Sequence, residues 1–227
     1  MTKKEQKYII AIDGGVATGK STIAKAVAKE LNFVYINTGD MYRAVTLYFV
    51  QNNIEITDEN IVSNINDIKI TFRLENNNVI TILNGEDVTE KLHSANISKL
   101  VPLVAKVKIV REKMVELQRE FAKNNSIVMD GRDIASVVFP NATLKIFLTA
   151  SLDERARRRK LDLEKRGEYI DIDILKNDIL KRDKIDMERE ESPLIKVEDA
   201  VVIDTTGHNI SDDVNTITEL LKRRTEI

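Results

Sequence analysis

Five short apolar runs, at residues 8–12, 33–36, 127–129, 144–148 and 201–203, are separated by segments whose apolar residues recur at helical spacing. Runs this short and continuous suit strands buried on both faces, and such strands need helices packed above and below a parallel sheet. The first run ends at Gly14-Gly15-Val16-Ala17-Thr18-Gly19-Lys20-Ser21, and Ile23, Ala24, Val27, Ala28 and Leu31 then mark a helix. Strand, glycine loop and helix form the setting in which G-x-x-x-x-G-K-[ST] cradles phosphate. A structural turn with a helix-capping serine is the plain alternative, and the flanking strand and helix argue against it. The fold class read here is α/β, a P-loop NTPase-type parallel sheet flanked by helices.

The chemistry of that loop follows from its residue types. Backbone N–H groups converge on a phosphate where glycines remove steric bulk, and the start of the following helix adds its positive dipole end. Residues 14–22, closing with Thr22, are the expected nucleotide contacts. Lys20 would neutralise charge at the outer phosphates. Ser21 would ligate magnesium arriving with ATP, since that hard ion takes hydroxyl, phosphate and water oxygens. Asp130 ends the apolar strand of the Ser126-Ile127-Val128-Met129-Asp130-Gly131-Arg132-Asp133 stretch, a layout suited to holding the same ion through water. A charged turn with a local ion pair is its alternative.

The remaining segments depart from the α/β rhythm. Residues 68–74 and 79–83 alternate apolar and polar positions around Asn76-Asn77-Asn78, which predicts a hairpin within a small β-rich insertion at about 66–100. Val107, Val110, Met114, Leu117 and Phe121 are spaced as the buried stripe of a helix over 105–121, with Arg111 at its edge. A highly charged helical region, expected to be mobile, covers about 151–195. The rest, 7–65, 101–150 and 196–227, is assigned to the core of one domain.

Composition narrows the partners. The 35 basic and 37 acidic side chains leave a net charge of −2, so no global positive field draws the chain to nucleic acid or anionic lipid. The sequence contains no cysteine, which excludes disulfides, thiolate metal sites and cysteine nucleophiles. No apolar run approaches the ~20 residues that span a bilayer. A soluble, cytoplasmic monomer that binds neither nucleic acid nor membrane is the expectation.

A second group of residues points beyond nucleotide binding. Asn37-Thr38-Gly39-Asp40-Met41-Tyr42-Arg43 opens a predicted helix with Thr38 near its cap, and Arg182, Asp186 and Arg189 fall at i, i+4 and i+7 of another. Taken singly, these read as a capped helix and an exposed salt bridge. The cluster Arg155, Arg157, Arg158, Arg159 and Lys160 reads as a solvated face from which only some side chains reach a shared phosphate.

Taken together, the chain resembles the bacterial cytidylate kinase family. The phosphate loop, Thr38-Gly39 with Tyr42-Arg43, Val110-Arg111-Glu112 with Gln118-Arg119, Asp130-Gly131-Arg132-Asp133, Val137-Val138-Phe139-Pro140, Lys145-Ile146-Phe147-Leu148, and Arg182-Asp183 through Asp186, Arg189 and Ser192-Pro193-Leu194 match in order and spacing across nearly the whole length. The resemblance implies ATP-dependent phosphorylation of CMP or dCMP by a core, a CMP-side insertion and a helical lid. It implies that Thr38, Arg111 and Asp133 read cytosine, that Arg182 and Asp186 hold the sugar hydroxyls, and that Arg43, Arg132 and Arg189 hold the CMP phosphate. Tyr42 belongs with the substrate set, and Arg158 with the lid, facing ATP. Lys20, Arg132, Arg158, Arg182 and Arg189 are the implied catalytic residues. The chain departs from the family's pattern at Gly15 for proline, Asn37 for aspartate, Pro102 for serine, Ala135-Ser136 for glycine-threonine, and Ile185 for a polar residue. Another small P-loop kinase, or a nucleotide sensor without turnover, are the competing readings; Pro102 and Ile185 favour the sensor, and the complete Arg182, Asp186, Arg189 set favours the enzyme.

Overall fold

The computed structural model describes residues 6–75 and 78–225. All five apolar runs are strands of one sheet: β1 (Ile9–Gly14), β2 (Val34–Asn37), β6 (Ile127–Gly131), β7 (Leu144–Thr149) and β8 (Val201–Asp204), in the order β2-β6-β1-β7-β8. Every neighbouring pair is parallel. From β1 the chain runs to one side for β2 and β6, then to the other for β7 and β8. The carboxyl end of β1 is therefore a topological switch point, where open α/β sheets bind ligands. In this register Ile12 lies opposite Asp130 on one side and Ile146 on the other, so Gly14 and Gly131 reach the same edge.

Helix α1 (Lys20–Leu31) buries Ile23, Ala24 and Val27 against the sheet beside Val214, Ile217 and Leu221 of α8 (Ile210–Arg224). The opposite sheet face, with Ala11, Ile36 and Met129, is covered by Ile134, Val138 and Ala122. These layers fix the sheet edge from which the phosphate loop emerges.

The predicted hairpin is present as β3 (Ile70–Glu75) and β4 (Asn78–Leu83), extended by β5 (Glu86–Asp87) into a three-stranded antiparallel sheet. Of the Asn76-Asn77-Asn78 turn, the first two residues lie outside the described set. The sheet's inner residues Ile70 and Leu83 join a second apolar cluster with α2 (Thr38–Gln51), α3 (Asp58–Asn64), α4 (Ala95–Ala105) and α5 (Lys108–Ala122). Phe49 is fully buried there, and its replacement by alanine would cost about 3–5 kcal/mol.

Three expectations need adjustment. The insertion's boundary at residue 100 falls inside α4, because Ser94 caps a helix there by accepting from the Ile97 N–H. The helix expected over 105–121 begins at Lys108, since Val107 has extended backbone angles (φ −80, ψ 123) and Lys106 ends α4. Arg111 is not at the stripe's edge but 3% exposed. The charged region is two helices, α6 (Leu152–Glu164) and α7 (Ile172–Glu188), parted by a turn in which Gly167 takes φ +79. Among the described residues no helix is long and apolar enough to cross a membrane.

Candidate active site

The phosphate loop leaves β1 through Gly14, whose close approach to β7 explains the residue: a Cβ there would sit 2.3 Å from the Leu148 carbonyl oxygen. Gly19, left-handed at φ 88, precedes α1 and supplies no side-chain cap, and the helix has no acidic residue in its first turn. The opening N–H groups of α1 are thus left for an anion. Lys20 is buried, and its Nζ donates to the Gly15 carbonyl at 2.5 Å. Burial, reinforced by repulsion from Arg132, pushes its pKa down to about 7.

Across the loop, Ser21 Oγ donates to Asp130 Oδ2 at 2.9 Å and Tyr35 OH donates to Asp130 Oδ1 at 2.8 Å. Burial holds the Asp130 carboxyl above its ordinary range. A hydroxyl and a carboxylate converging at this spacing are hard oxygen donors of the kind magnesium takes. Among the described residues no three acidic or histidine side chains are placed to hold one metal ion together, so an ion here would draw on phosphate and water oxygens as well.

Beyond the loop lies a cleft of about 300 Å³ that brings together most of the residues picked from sequence. Thr38, Tyr42 and Arg43 come from α2, Arg111 from α5, Arg132 and Asp133 from the turn after β6, and Arg182 and Asp186 from α7. Arg189 joins them, though not on the helix face expected: it is the residue that ends α7, in extended conformation (φ −62, ψ 141). Seven cationic side chains and four carboxylates line the cleft, an excess of three positive charges with Lys20 counted as charged.

The carboxylates organise these cations. Asp186, 1% exposed, accepts from Arg132 Nε at 2.8 Å and Arg182 Nε at 3.4 Å, with Arg189 Nη1 at 3.6 Å. Burial works to raise its pKa, yet the neighbouring arginines hold it below the usual carboxylate range. The exposed i,i+4 pair expected from sequence is therefore a buried junction of three arginines. Asp133 pairs with Arg111 at 2.5 Å, and Arg189 stands 3.8 Å from its other oxygen. Arg111 also donates to the Ala105 carbonyl at 2.9 Å and lies 5.2 Å above the Tyr42 ring, a cation–π contact. Even so, Nε of Arg43, Nε of Arg111 and Nη2 of Arg189 are buried without a hydrogen-bond partner. Buried donors in that state are costly unless something fills them.

Two anchors, neither assigned a role from sequence, fix the turn carrying Arg132 and Asp133. Asp13, 1% exposed, accepts from the N–H groups of Ile134 (2.9 Å) and Ala135 (2.7 Å). Burial pushes its carboxyl up to about 6 against the pull of those bonds. Arg119 grips the same turn from α5 by donating to the carbonyls of Val138 (2.9 Å) and Val137 (2.7 Å). An aspartate inside an otherwise apolar strand was the available signal for Asp13.

Other expected contacts are partly engaged elsewhere. Thr38 Oγ1 donates to the Asp130 carbonyl at 2.9 Å while facing the cleft. Arg158 borders a second cavity of about 470 Å³ shared with Lys20, Ser21 and Thr22. Its guanidinium is held by Glu154 (2.8 Å) and by the Thr205 hydroxyl (2.9 Å) and carbonyl (2.6 Å). Arg155, read as part of a solvated face, is instead buried. Among the departures, Pro102 lies within α4, whose Val101 and Ala105 line the cleft. Ile185 is 50% exposed, Asn37 caps α2 by accepting from the Gly39 N–H at 2.9 Å, and Ser136 Oγ is buried without a partner.

Residues 10–223 match the family model described as cytidylate kinase. The chain belongs to the cytidylate kinase family. It is 51% identical to a cytidylate kinase of Alkaliphilus oremlandii, over 94% of this chain and 97% of that one. It is 47% identical to a cytidylate kinase of a Geobacillus species, over 95% and 96%. The fold also resembles that of an uncharacterised Eubacterium ventriosum protein, at 15% identity and a TM-score of 0.53, over 95% of this chain and 99% of that one. Membership gives the parallel sheet, the phosphate loop and the arginine-lined cleft one shared setting.

Proposed function

We propose that this chain transfers the γ-phosphoryl group of ATP to CMP or dCMP, giving ADP and CDP or dCDP. The observation that carries the reading is the cleft itself: unsatisfied arginine donors and a buried Arg111–Asp133 pair face the phosphate loop across one cavity.

Each residue's part follows from its chemistry. The loop amides and Lys20 hold the ATP phosphates, while Arg43, Arg132 and Arg189 bind the phosphate of the acceptor. A phosphate monoester has a second pKa near 6, so near neutrality the attacking oxygen is largely ionised and needs no strong base. That oxygen forms a bond to the γ-phosphorus as the bond to the bridging oxygen of ADP breaks. The obstacle is repulsion between two anions, and the excess of cations offsets it as charge spreads over the transferring group. Ser21 and Asp130 would hold magnesium, which would supply positive charge against the phosphates.

Base choice falls to Asp133 and Arg111, with Thr38 beside them. The cytosine amino group donates a hydrogen bond that a carboxylate accepts, whereas uracil offers a carbonyl there. A buried site left unpaired by the wrong base discriminates by about 10⁴. Arg182 and Asp186 take the sugar-binding role in this reading. The three-stranded sheet serves as the acceptor-side insertion and α6 with α7 as the lid, whose closure excludes water.

The test is ADP formation from ATP and magnesium with CMP, dCMP, UMP, AMP or no acceptor. Turnover with CMP and dCMP well above the others is expected. Equal rates with every acceptor would sink the cytosine assignment, and none with any would leave a nucleotide sensor.

A further inference from the structure

The apex of the phosphate loop is gripped from outside by a buried ion pair. The N–H of Val16 donates to Asp183 Oδ1 at 2.9 Å, the Val16 carbonyl accepts from Arg155 Nη1 at 3.2 Å, and Arg155 closes the triangle by pairing with the other oxygen of Asp183. Arg155 is 8% and Asp183 7% exposed. Neither side chain lines the cleft or the second cavity. They come from α6 and α7, the same helices that carry Arg158 and the Arg182, Asp186 pair.

The pair leaves little room for a side chain at residue 15 unless its own tips shift. A Cβ at Gly15 would stand 2.7 Å from Arg155 Nη1 and 3.0 Å from Asp183 Oδ1. The Gly15 carbonyl in turn receives Lys20 Nζ at 2.5 Å and Thr18 Oγ1 at 3.1 Å. A line of contacts thus runs from the ion pair through residues 15 and 16 to the lysine aimed at the donor phosphates. Charged partners on both sides of the Val16 peptide orient it more strongly than neutral ones would.

We propose that Arg155 and Asp183 are positioning residues for the donor half of the site: they set the backbone of residues 15 and 16, and through the Gly15 carbonyl the place of Lys20, without touching either nucleotide. The inference rests on reading residues 14–21 as the ATP loop. It predicts an asymmetry, since the pair contacts the loop and not the acceptor cleft. ATP affinity depends on it and CMP affinity does not.

Equilibrium titration of magnesium-ATP, and separately of CMP, tests this on the full-length chain. Asp183→Ala or Arg155→Ala is expected to weaken ATP binding about tenfold, the scale of one lost charge-assisted hydrogen bond, with CMP binding within about twofold of wild type on that scale. Asp183→Asn, which keeps an acceptor for the Val16 N–H, should fall between. Gly15→Ala should also weaken ATP binding, but its effect should shrink when combined with Arg155→Ala, because the nearest atom its methyl group strikes is gone. That non-additivity, read alongside a thermal melt for each variant, is something a general loss of stability does not produce. Unchanged ATP affinity in Asp183→Asn and Arg155→Lys, equal weakening of both nucleotides, or additive effects of Gly15→Ala and Arg155→Ala would each overturn the proposal. Failure of the functional reading appears separately, as wild-type protein that binds ATP but does not phosphorylate CMP.

Discussion

The proposed donor and acceptor halves of the site are built by opposite means. The donor half is a contiguous loop, residues 14–21, that presents backbone N–H groups and one lysine whose charge the fold disfavours. The acceptor half is a junction of side chains from α2, α5, α7 and the turn after β6, in which arginines and carboxylates satisfy one another. In the first, stability and chemistry are separable, because backbone geometry does the holding. In the second they are not, because the groups expected to read the acceptor also neutralise each other inside the protein.

That contrast is sharpest in Lys20→Ala. Turnover should fall about a thousandfold, the scale of losing a positioned charge at a transferring phosphoryl group. The melting temperature should barely move, since burial already depresses the lysine's pKa and its removal relieves a desolvated cation. A large drop in melting temperature would break the distinction.

Asp133→Ala should do both kinds of damage. The kcat/KM for CMP is expected to drop about a hundredfold with the CMP-over-UMP preference erased. Arg111, 3% exposed, would lose its carboxylate partner, and an unpaired buried charge costs about 3–5 kcal/mol. Denaturant unfolding beside steady-state kinetics with CMP and UMP measures the two losses together. Normal stability with lost base choice would show that the halves are more alike than the ion pairs suggest.

Arg119→Ala probes the support rather than the contacts. It frees the carbonyls of Val137 and Val138 and loosens the turn behind Asp133, so KM for CMP should rise about tenfold while KM for ATP holds, a loss of about 1.4 kcal/mol. Equal changes in both KM values would count against a role confined to the acceptor half.

The smallest effect on turnover is expected from Asp13→Asn, which is read through pH. The folded carboxyl titrates near 6, against about 3.9 in an unfolded chain. Between those values the folded state holds the proton more firmly, so this group's contribution to stability is present below about pH 4 and is lost as pH rises through 6, at most about 2–3 kcal/mol. Unfolding free energies at pH 4.5 and 6.5 should differ less in Asp13→Asn than in wild type, by about 2 kcal/mol at most. Identical pH slopes would show that Asp13 titrates normally.

The sheet's five strands, the hairpin and the phosphate loop were all legible because each depends on nearby residues: apolar continuity, alternation, or glycines at set spacing. Resemblance to a family brought the arginines and Asp133 into view as a set. What escaped were residues whose meaning depends on distant partners. Asp13 is an acidic residue in an apolar strand, and only the N–H groups of Ile134 and Ala135 packed against it give it a part. Arg155 looked solvated until Asp183, 28 residues away, closed on it. Arg189 kept its place near Asp186 although the helix ends just before it.

By itself, then, the sequence determined the sheet, the loop that meets an anion, and the residue types available for the acceptor, since backbone conformation and apolar pattern are local properties. The tertiary structure decided which charges are buried together and which peptide groups they hold. Ion pairing and desolvation depend on distance through space, and chain order does not encode that distance.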